Sequence, residues 1–348
     1  MSDVRIRKEG RAGRITLSRP KALNALTYEM CLGIERALDA WAQDSEVALV
    51  ILDAEGEKAF CAGGDIAQVY RAGIKGDYDY GRRFWRDEYR MNAKLAEYSK
   101  PVISFLHGFV MGGGVGLGGH CSHRIVGESA RIAMPECSIG FVPDVGGSFR
   151  LAQAPGRLGE YLGLTSARME PGDALYAGFA DFFVPEAEWP TLKAALAETG
   201  KADAVAKAAQ PAPDSPLAER QAQIDMLFGG GSLADIRRTL DEDGPDFAEG
   251  ARTALARNAP LSMALTLEMV RRLRGPSHSI RDALELEYRV SHRIVEHGDF
   301  LEGVRAAIID KDRQPRWRNA TDDVPDAEVS MMLAPLGRDA LNLREEAK

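Results

Sequence analysis

The sequence predicts an α/β fold with extensive parallel pairing, followed by a helical C-terminal region. Three observations carry this. Short apolar runs alternate with helix-periodic segments through the first half, glycine clusters stand where such runs hand over to helices, and strand-like runs are absent after about Ala218.

Taken in order, Val4-Arg5-Ile6 and Arg14-Ile15-Thr16-Leu17 flank a turn at Gly10 to Gly13 and predict a β-hairpin. Thr27 is placed to cap a helix carrying Met30, Ile34, Leu38 and Trp41 on one face. Val47 to Leu52 is a continuous apolar run, short enough for a strand buried on both faces. A helical pattern from Phe84 to Leu95 leads into a strand within Lys100 to His107, and Arg124-Ile125-Val126 and Arg131-Ile132-Ala133-Met134 read as two further strands. From Ala194 to Gln210 the chain turns alanine-rich and helical. Pro211 to Pro216 forms a stiff turn, and Ala218 to Ile309 reads as helix punctuated at Gly229-Gly230-Gly231 and Gly275-Pro276. The expected division is an α/β core over residues 1–190, a helical region over 191–320 and a C-terminal tail over 321–348.

Composition limits the function. With 348 residues the chain can bury a full core, and 45% hydrophobic with 28% charged residues is ordinary for a globular protein. A net charge of −8 argues against nucleic acid or an anionic membrane as partner. Four scattered cysteines without a CxxC pair read as free thiols in a reducing compartment, and the first residues lack an apolar signal region, so a cytoplasmic location is expected.

The densest glycine run is Met111-Gly112-Gly113-Gly114-Val115-Gly116-Leu117-Gly118-Gly119. Backbone in such a run can lie against a partner that side chains would exclude, and its amide donors favour an anion or a developing oxyanion. Gly114-x-Gly116-x-x-Gly119 matches a dinucleotide fingerprint, with Glu136 downstream. Four residues between Gly119 and the strand at Arg124 are too few for the crossover helix such a site requires, so that reading is rejected. A second strand-to-turn passage, Lys58-Ala59-Phe60-Cys61-Ala62-Gly63-Gly64-Asp65, offers a partner for the first, with Asp65 placed to cap the following helix. Two such turns on neighbouring parallel strands can aim two N–H groups at one point, which is the geometry of an oxyanion hole.

These two segments, with AMPECSIGFVPDVGG and the C-terminal EYRVSHRIVEHGDFLEGVRAAIIDKDRQPRW, resemble the crotonase, or enoyl-CoA hydratase/isomerase, superfamily. The similarity runs from about Val4 to Trp317 and is closest to the branch that hydrolyses 3-hydroxyisobutyryl-CoA. The resemblance implies a crotonase-like spiral of ββα turns, a helical C-terminal region that can mediate oligomers, and an acyl-CoA substrate. It places the two oxyanion donors on the backbone N–H groups of Gly64 and Gly113.

The acids beside such a hole select the reaction. Glu136 and Asp144 lie in Pro- and Gly-rich segments predicted to be loops around one pocket. In hydratases of the superfamily the first of two catalytic glutamates stands three positions after the oxyanion glycine, and here that position is Gly116. The resemblance therefore implies a thioester hydrolase of valine breakdown, with Glu136 and Asp144 catalytic and Glu88 in the substrate pocket. Glu88 has a plainer alternative as a helix-surface acid paired with Arg86 or Arg90. Two other functions stay open: an enoyl-CoA isomerase or hydratase, and a non-catalytic CoA-binding protein. No metal or redox cofactor is expected, since CoA belongs to the substrate. His120-Cys121-x-His123 lacks a fourth ligand at a recognisable spacing. His107 is expected to be structural, and Lys21 lies in the segment that borders the nucleotide end of CoA in relatives.

Overall fold

The structure is a computed structural model that describes residues 3–244, 246–320 and 323–343. Among the described residues nine strands form two sheets: β1 (Val4–Glu9), β2 (Ala12–Leu17), β3 (Leu49–Ala54), β4 (Ala59–Cys61), β5 (Val102–Leu106), β6 (Phe109–Met111), β7 (His123–Val126), β8 (Arg131–Ala133) and β9 (Phe182–Phe183). The larger sheet runs β1-β2-β3-β5-β7-β9 and the smaller β4-β6-β8. Only the β1–β2 hairpin is antiparallel; every other named pair is parallel.

A repeat underlies this order. In each of three successive units the chain adds one strand to the large sheet, turns, and adds the next to the small one: β3 then β4, β5 then β6, β7 then β8. Of the small strands, β8 matches the predicted run Arg131–Met134 and β4 the strand end before the Gly63-Gly64 turn, whereas the three residues of β6 are too few to show a period of two. Phe109–Met111 is a strand only by pairing with β4 and β8. The predicted strand at Val47 sits two residues later, at Leu49–Ala54, where Leu49 pairs with Ala12. It continues through the polar Asp53, whose buried carboxylate accepts from Arg14 (2.7 Å), Thr16 (2.7 Å) and Lys193 (2.9 Å).

Contacts divide the chain into two compact units that interleave along the sequence. One comprises Met1–Gly64, Arg90–Ala133 and Arg168–Ala218, the other Asp65–Tyr89, Met134–Ala167 and Glu219–Lys348. The first unit holds both sheets. Leu49, Ile51, Ile103, Phe105 and Ile125 alternate onto one sheet face and meet Trp189, Leu192 and Leu196 of the helix Trp189–Thr199. Each large apolar side chain buried here contributes roughly 1.5–3 kcal/mol. The Trp189 ring stands edge-on to Phe105 at 5.3 Å and its indole N–H donates to the Val184 carbonyl (2.8 Å). Residues 191–208 lie past the expected boundary at 190, and their helices cover this sheet face. The Thr27 cap stands as expected, accepting from Met30 N–H at the start of the helix Tyr28–Ala42.

The second unit is almost wholly helical. Its longest described helices include Pro260–Arg272 and Ile280–His297; the latter opens with a capping box between Ser279 and Asp282. In the predicted tail, residues 326–333 form a helix, while 321–322 and 344–348 lie outside the described residues. Among the described residues no helix is long and apolar enough to cross a membrane.

Gly114 packs against strand β4 so closely that a Cβ there would stand 2.2 Å from the Cys61 carbonyl oxygen. Backbone on both sides leaves no flexible atom to yield, so Gly114→Ala is expected to destabilise the protein by about 1–3 kcal/mol. Denaturant midpoints of the variant and the parent check this.

Candidate active site

In the first unit, β4 and β6 lie side by side and each ends in a glycine turn. Gly63 (φ +112°) and Gly112 (φ +49°) take conformations closed to most side chains. The N–H of Leu26 holds the first turn through the Gly63 carbonyl (2.9 Å), and Gly64 bridges to Leu26. Gly113 opens the helix Gly113–Gly118, so its N–H has no acceptor inside that helix. The two turns are neighbours, since a Cβ on Gly63 would stand 3.6 Å from the Met111 carbonyl oxygen. The two segments that the sequence pairs thus lie on neighbouring parallel strands. Asp65 occupies the cap position of the helix Ile66–Gly73, but its side chain makes no capping bond.

The acids gather in the second unit. Glu136 begins a 3₁₀ turn, Glu136–Ile139, three residues past the end of β8. That turn is anchored by Ala259 N–H on the Cys137 carbonyl (2.9 Å) and by a Cys137–Thr266 side-chain bond (3.3 Å). The Glu136 carboxyl is buried and its Oε2 has no hydrogen-bond partner. Burial first, and the charge of Glu287 after it, raise its pKa from 4.5 to about 8.

Asp144 lies in the loop before the helix Gly147–Gln153 and is also buried. Its Oδ2 accepts from the Tyr89 hydroxyl at 2.8 Å. Burial, then the negative charges of Glu88, Glu136 and Glu287, hold its pKa well above the ordinary carboxylate range. The raise is shared by the neighbouring acids: Glu88 is pushed to about 8 and Glu287 to about 7, burial being the first cause in both.

Glu88 is no surface acid. It is 3% exposed, and its Oε1 is unbonded. The arginines proposed as its partners are engaged elsewhere. Arg90 forks onto Glu35 through two bonds of 2.7 Å, and Arg86 lies over the Tyr288 ring and donates to the Asp339 carbonyl. An aromatic wall contributes to the dry surroundings of this unit: Trp85 stacks on Phe141 with centroids 5.0 Å apart, and Phe300 meets both edge-on.

Two functional candidates were missed in the sequence. Glu287 is fully buried in the helix Ile280–His297, where it accepts from Gly146 N–H (2.8 Å), Ser148 N–H (3.1 Å) and the Ser148 hydroxyl. Its signal was a carboxylate on the helix stripe of Ala283, Ser291 and Ile294, where an apolar residue belongs. Tyr89 adjoins Glu88 and carried no signal beyond its neighbours. Of the remaining sequence candidates, His107 is structural, its Nε2 bonded to the Gly56 carbonyl at 2.7 Å. Cys121 donates to the Leu117 carbonyl, and His123 stacks on Phe182. Lys21 lines an open cavity of about 530 Å³ with Glu55, Gly56 and Lys58.

Successive ββ units feeding two parallel sheets, with glycine turns at strand ends, define a crotonase-type α/β fold. Comparison with known proteins agrees. The profile of the enoyl-CoA hydratase/isomerase family matches residues 12–333, and the chain belongs to that family. It is similar to the mitochondrial 3-hydroxyisobutyryl-CoA hydrolases of Gallus gallus (38% identity, covering 98% of this chain and 91% of that one) and Danio rerio (39%, covering 92% and 86%). It is also similar to the crystal structure of an enoyl-CoA hydratase from Rhodobacter sphaeroides 2.4.1 (TM-score 0.94, 56% identity, covering 98% and 100%). The expectation of a cytoplasmic location is overturned by the Gallus and Danio relatives, which are mitochondrial. Scattered cysteines without a CxxC pair do not distinguish one reducing compartment from another.

The raised carboxyls make stability depend on pH. Glu136 keeps its proton in the folded protein up to about pH 8 but loses it near pH 4.5 when unfolded. Its contribution is thus fully present below about pH 4.5 and is lost as pH rises through about 8. Glu136→Gln, which cannot ionise, is expected to raise Tm at pH 8.5 by ~2 °C or more while changing it little at pH 4.5. Thermal melts at the two pH values provide the check.

Proposed function

We propose that this protein hydrolyses the thioester of a short 3-hydroxyacyl-CoA, with 3-hydroxyisobutyryl-CoA as substrate and valine breakdown as its setting. The observation that carries the reading is the buried Glu136/Asp144 pair in a chain whose residue 116 is glycine. A hydratase of this superfamily needs a glutamate at that position to share the bracketing of water. The names of the Gallus and Danio relatives support the same reaction.

In this mechanism the N–H groups of Gly64 and Gly113 bind the thioester carbonyl oxygen and stabilise the charge that develops on it. Each such donor is worth about 3 kcal/mol in the transition state. Ionised Glu136 removes a proton from water as the water oxygen attacks the carbonyl carbon. The tetrahedral intermediate then expels the CoA sulfur, which takes that proton from Glu136. Alternatively the Glu136 carboxylate attacks the carbonyl carbon directly and expels CoA as its thiolate, forming a mixed anhydride that water then splits into the free acid and Glu136. Asp144 orients the β-hydroxyl of the acyl group, and Glu88 closes the acyl pocket. Neither metal nor redox cofactor enters this mechanism.

The Rhodobacter relative is named an enoyl-CoA hydratase, which favours a second reading, enoyl-CoA hydration. Thiol release from 3-hydroxyisobutyryl-CoA and loss of the conjugated absorbance of crotonyl-CoA, followed in parallel, separate the two. Hydrolysis is expected, falling by at least ~10²-fold in Glu136→Gln; turnover of crotonyl-CoA alone would overturn it. Because the base must be ionised, kcat/KM is expected to climb with pH toward a plateau above about 8. Labelled oxygen from water found in Glu136 after a single turnover would identify the anhydride route.

A further inference from the structure

The Asp144 carboxyl has two oxygens and stands on a loop of unfavourable backbone. Val145 (φ +54°) and Gly146 (φ +79°) follow it in the left-handed region. For a β-branched residue that conformation persists only where its surroundings over-determine it. Glu287 supplies much of that determination. One carboxylate oxygen receives the Gly146 N–H, the other the N–H and hydroxyl of Ser148, so the loop is gripped on its far side. A further bond closes the turn itself, from Gly147 N–H to the Asp144 carbonyl (2.6 Å).

The carboxylate end of Asp144 is held by a different element. Tyr89, on the helix Asp79–Ala96, donates its hydroxyl to Oδ2, and its wholly buried ring stands edge-on to Tyr288 at 6.2 Å. No solvent competes for that hydroxyl, which also faces Ser291, and rotation of the Asp144 carboxylate would cost the buried bond between them. The groups that face Asp144 are therefore Tyr89 and Glu88 from that helix, Glu136 from the 3₁₀ turn, and Glu287 from the helix Ile280–His297.

We infer that Tyr89 and Glu287 are positioning residues that fix Asp144 between them, so that Oδ2 is occupied by Tyr89 and Oδ1 is presented to the β-hydroxyl of the acyl group. The clamp makes substrate choice a property of two residues that do not touch the reacting atoms. The inference rests on the hydrolase reading above and adds the source of its selectivity for a hydroxylated acyl chain.

The test compares kcat/KM for 3-hydroxyisobutyryl-CoA and isobutyryl-CoA, which lacks the hydroxyl, in the full-length protein. The parent is expected to prefer the hydroxylated substrate. Tyr89→Phe, which removes one oxygen atom, is expected to reduce that preference about tenfold, the scale of one lost buried hydrogen bond. Glu287→Gln removes a negative charge facing the other acids and is expected to move the acid limb of the pH profile to lower pH, while Glu287→Asp restores it toward the parent. Equal losses on both substrates in Tyr89→Phe, or no loss, would overturn the inference, as would an unmoved pH limb in Glu287→Gln. A parent that hydrolyses both substrates without preference also overturns it and leaves the hydrolase reading standing. A parent that releases thiol from neither overturns that reading and the inference together. If Tyr89→Phe does not fold cooperatively, the pH limb of Glu287→Gln decides.

Discussion

Burial of carboxyl groups is the constraint from which the rest of the second unit follows. An isolated carboxylate in an apolar setting is costly, so a buried acid either finds donors or holds its proton. Glu287 takes the first course, with three donors from one loop, and Glu136 the second, with an oxygen left unbonded. Asp144 lies between these limits, held by one phenol and faced by three other acids. An aromatic wall of Trp85, Phe141 and Phe300 helps keep the surroundings dry enough for these differences to persist. The same dryness that costs stability yields acids able to hold or release a proton near neutral pH.

The first unit solves a separate problem, that of offering backbone instead of side chains. Its repeated ββ arrangement ends the short strands β4, β6 and β8 in one parallel sheet, and Gly64 and Gly113 follow the ends of β4 and β6 within three residues along the chain. Ligand-binding groups commonly gather beyond the carboxyl ends of parallel strands. A scaffold of this kind can keep its amide donors while the acids change.

Much of this was legible in the residues. The Thr27 cap, the hairpin and most strands of the large sheet follow from local patterns of apolar spacing and turn chemistry. Gly63 and the cluster after Met111 announced close backbone approach, and the structure shows it between Gly114 and Cys61. Less legible were β6 and β9, because strands of two or three residues exist only by virtue of their neighbours. The helices after 190 read as a separate region on composition alone. Nothing local reveals that Trp189, Leu192 and Leu196 meet the sheet face of Leu49 and Phe105.

By itself the sequence determined the family, the two glycine turns and the acids of interest, because each is a matter of residue type at a fixed spacing. Tertiary structure decided what those acids are. Glu88 kept a plainer reading as a surface partner for arginine, which its burial and the pairing of Arg90 with Glu35 remove. Glu287 and Tyr89 entered only when distant helices brought them to the Asp144 loop, 143 and 55 positions away in sequence. Protonation belongs to the same class: an acid's charge state depends on the solvent and charges around it, and only the packed chain supplies those.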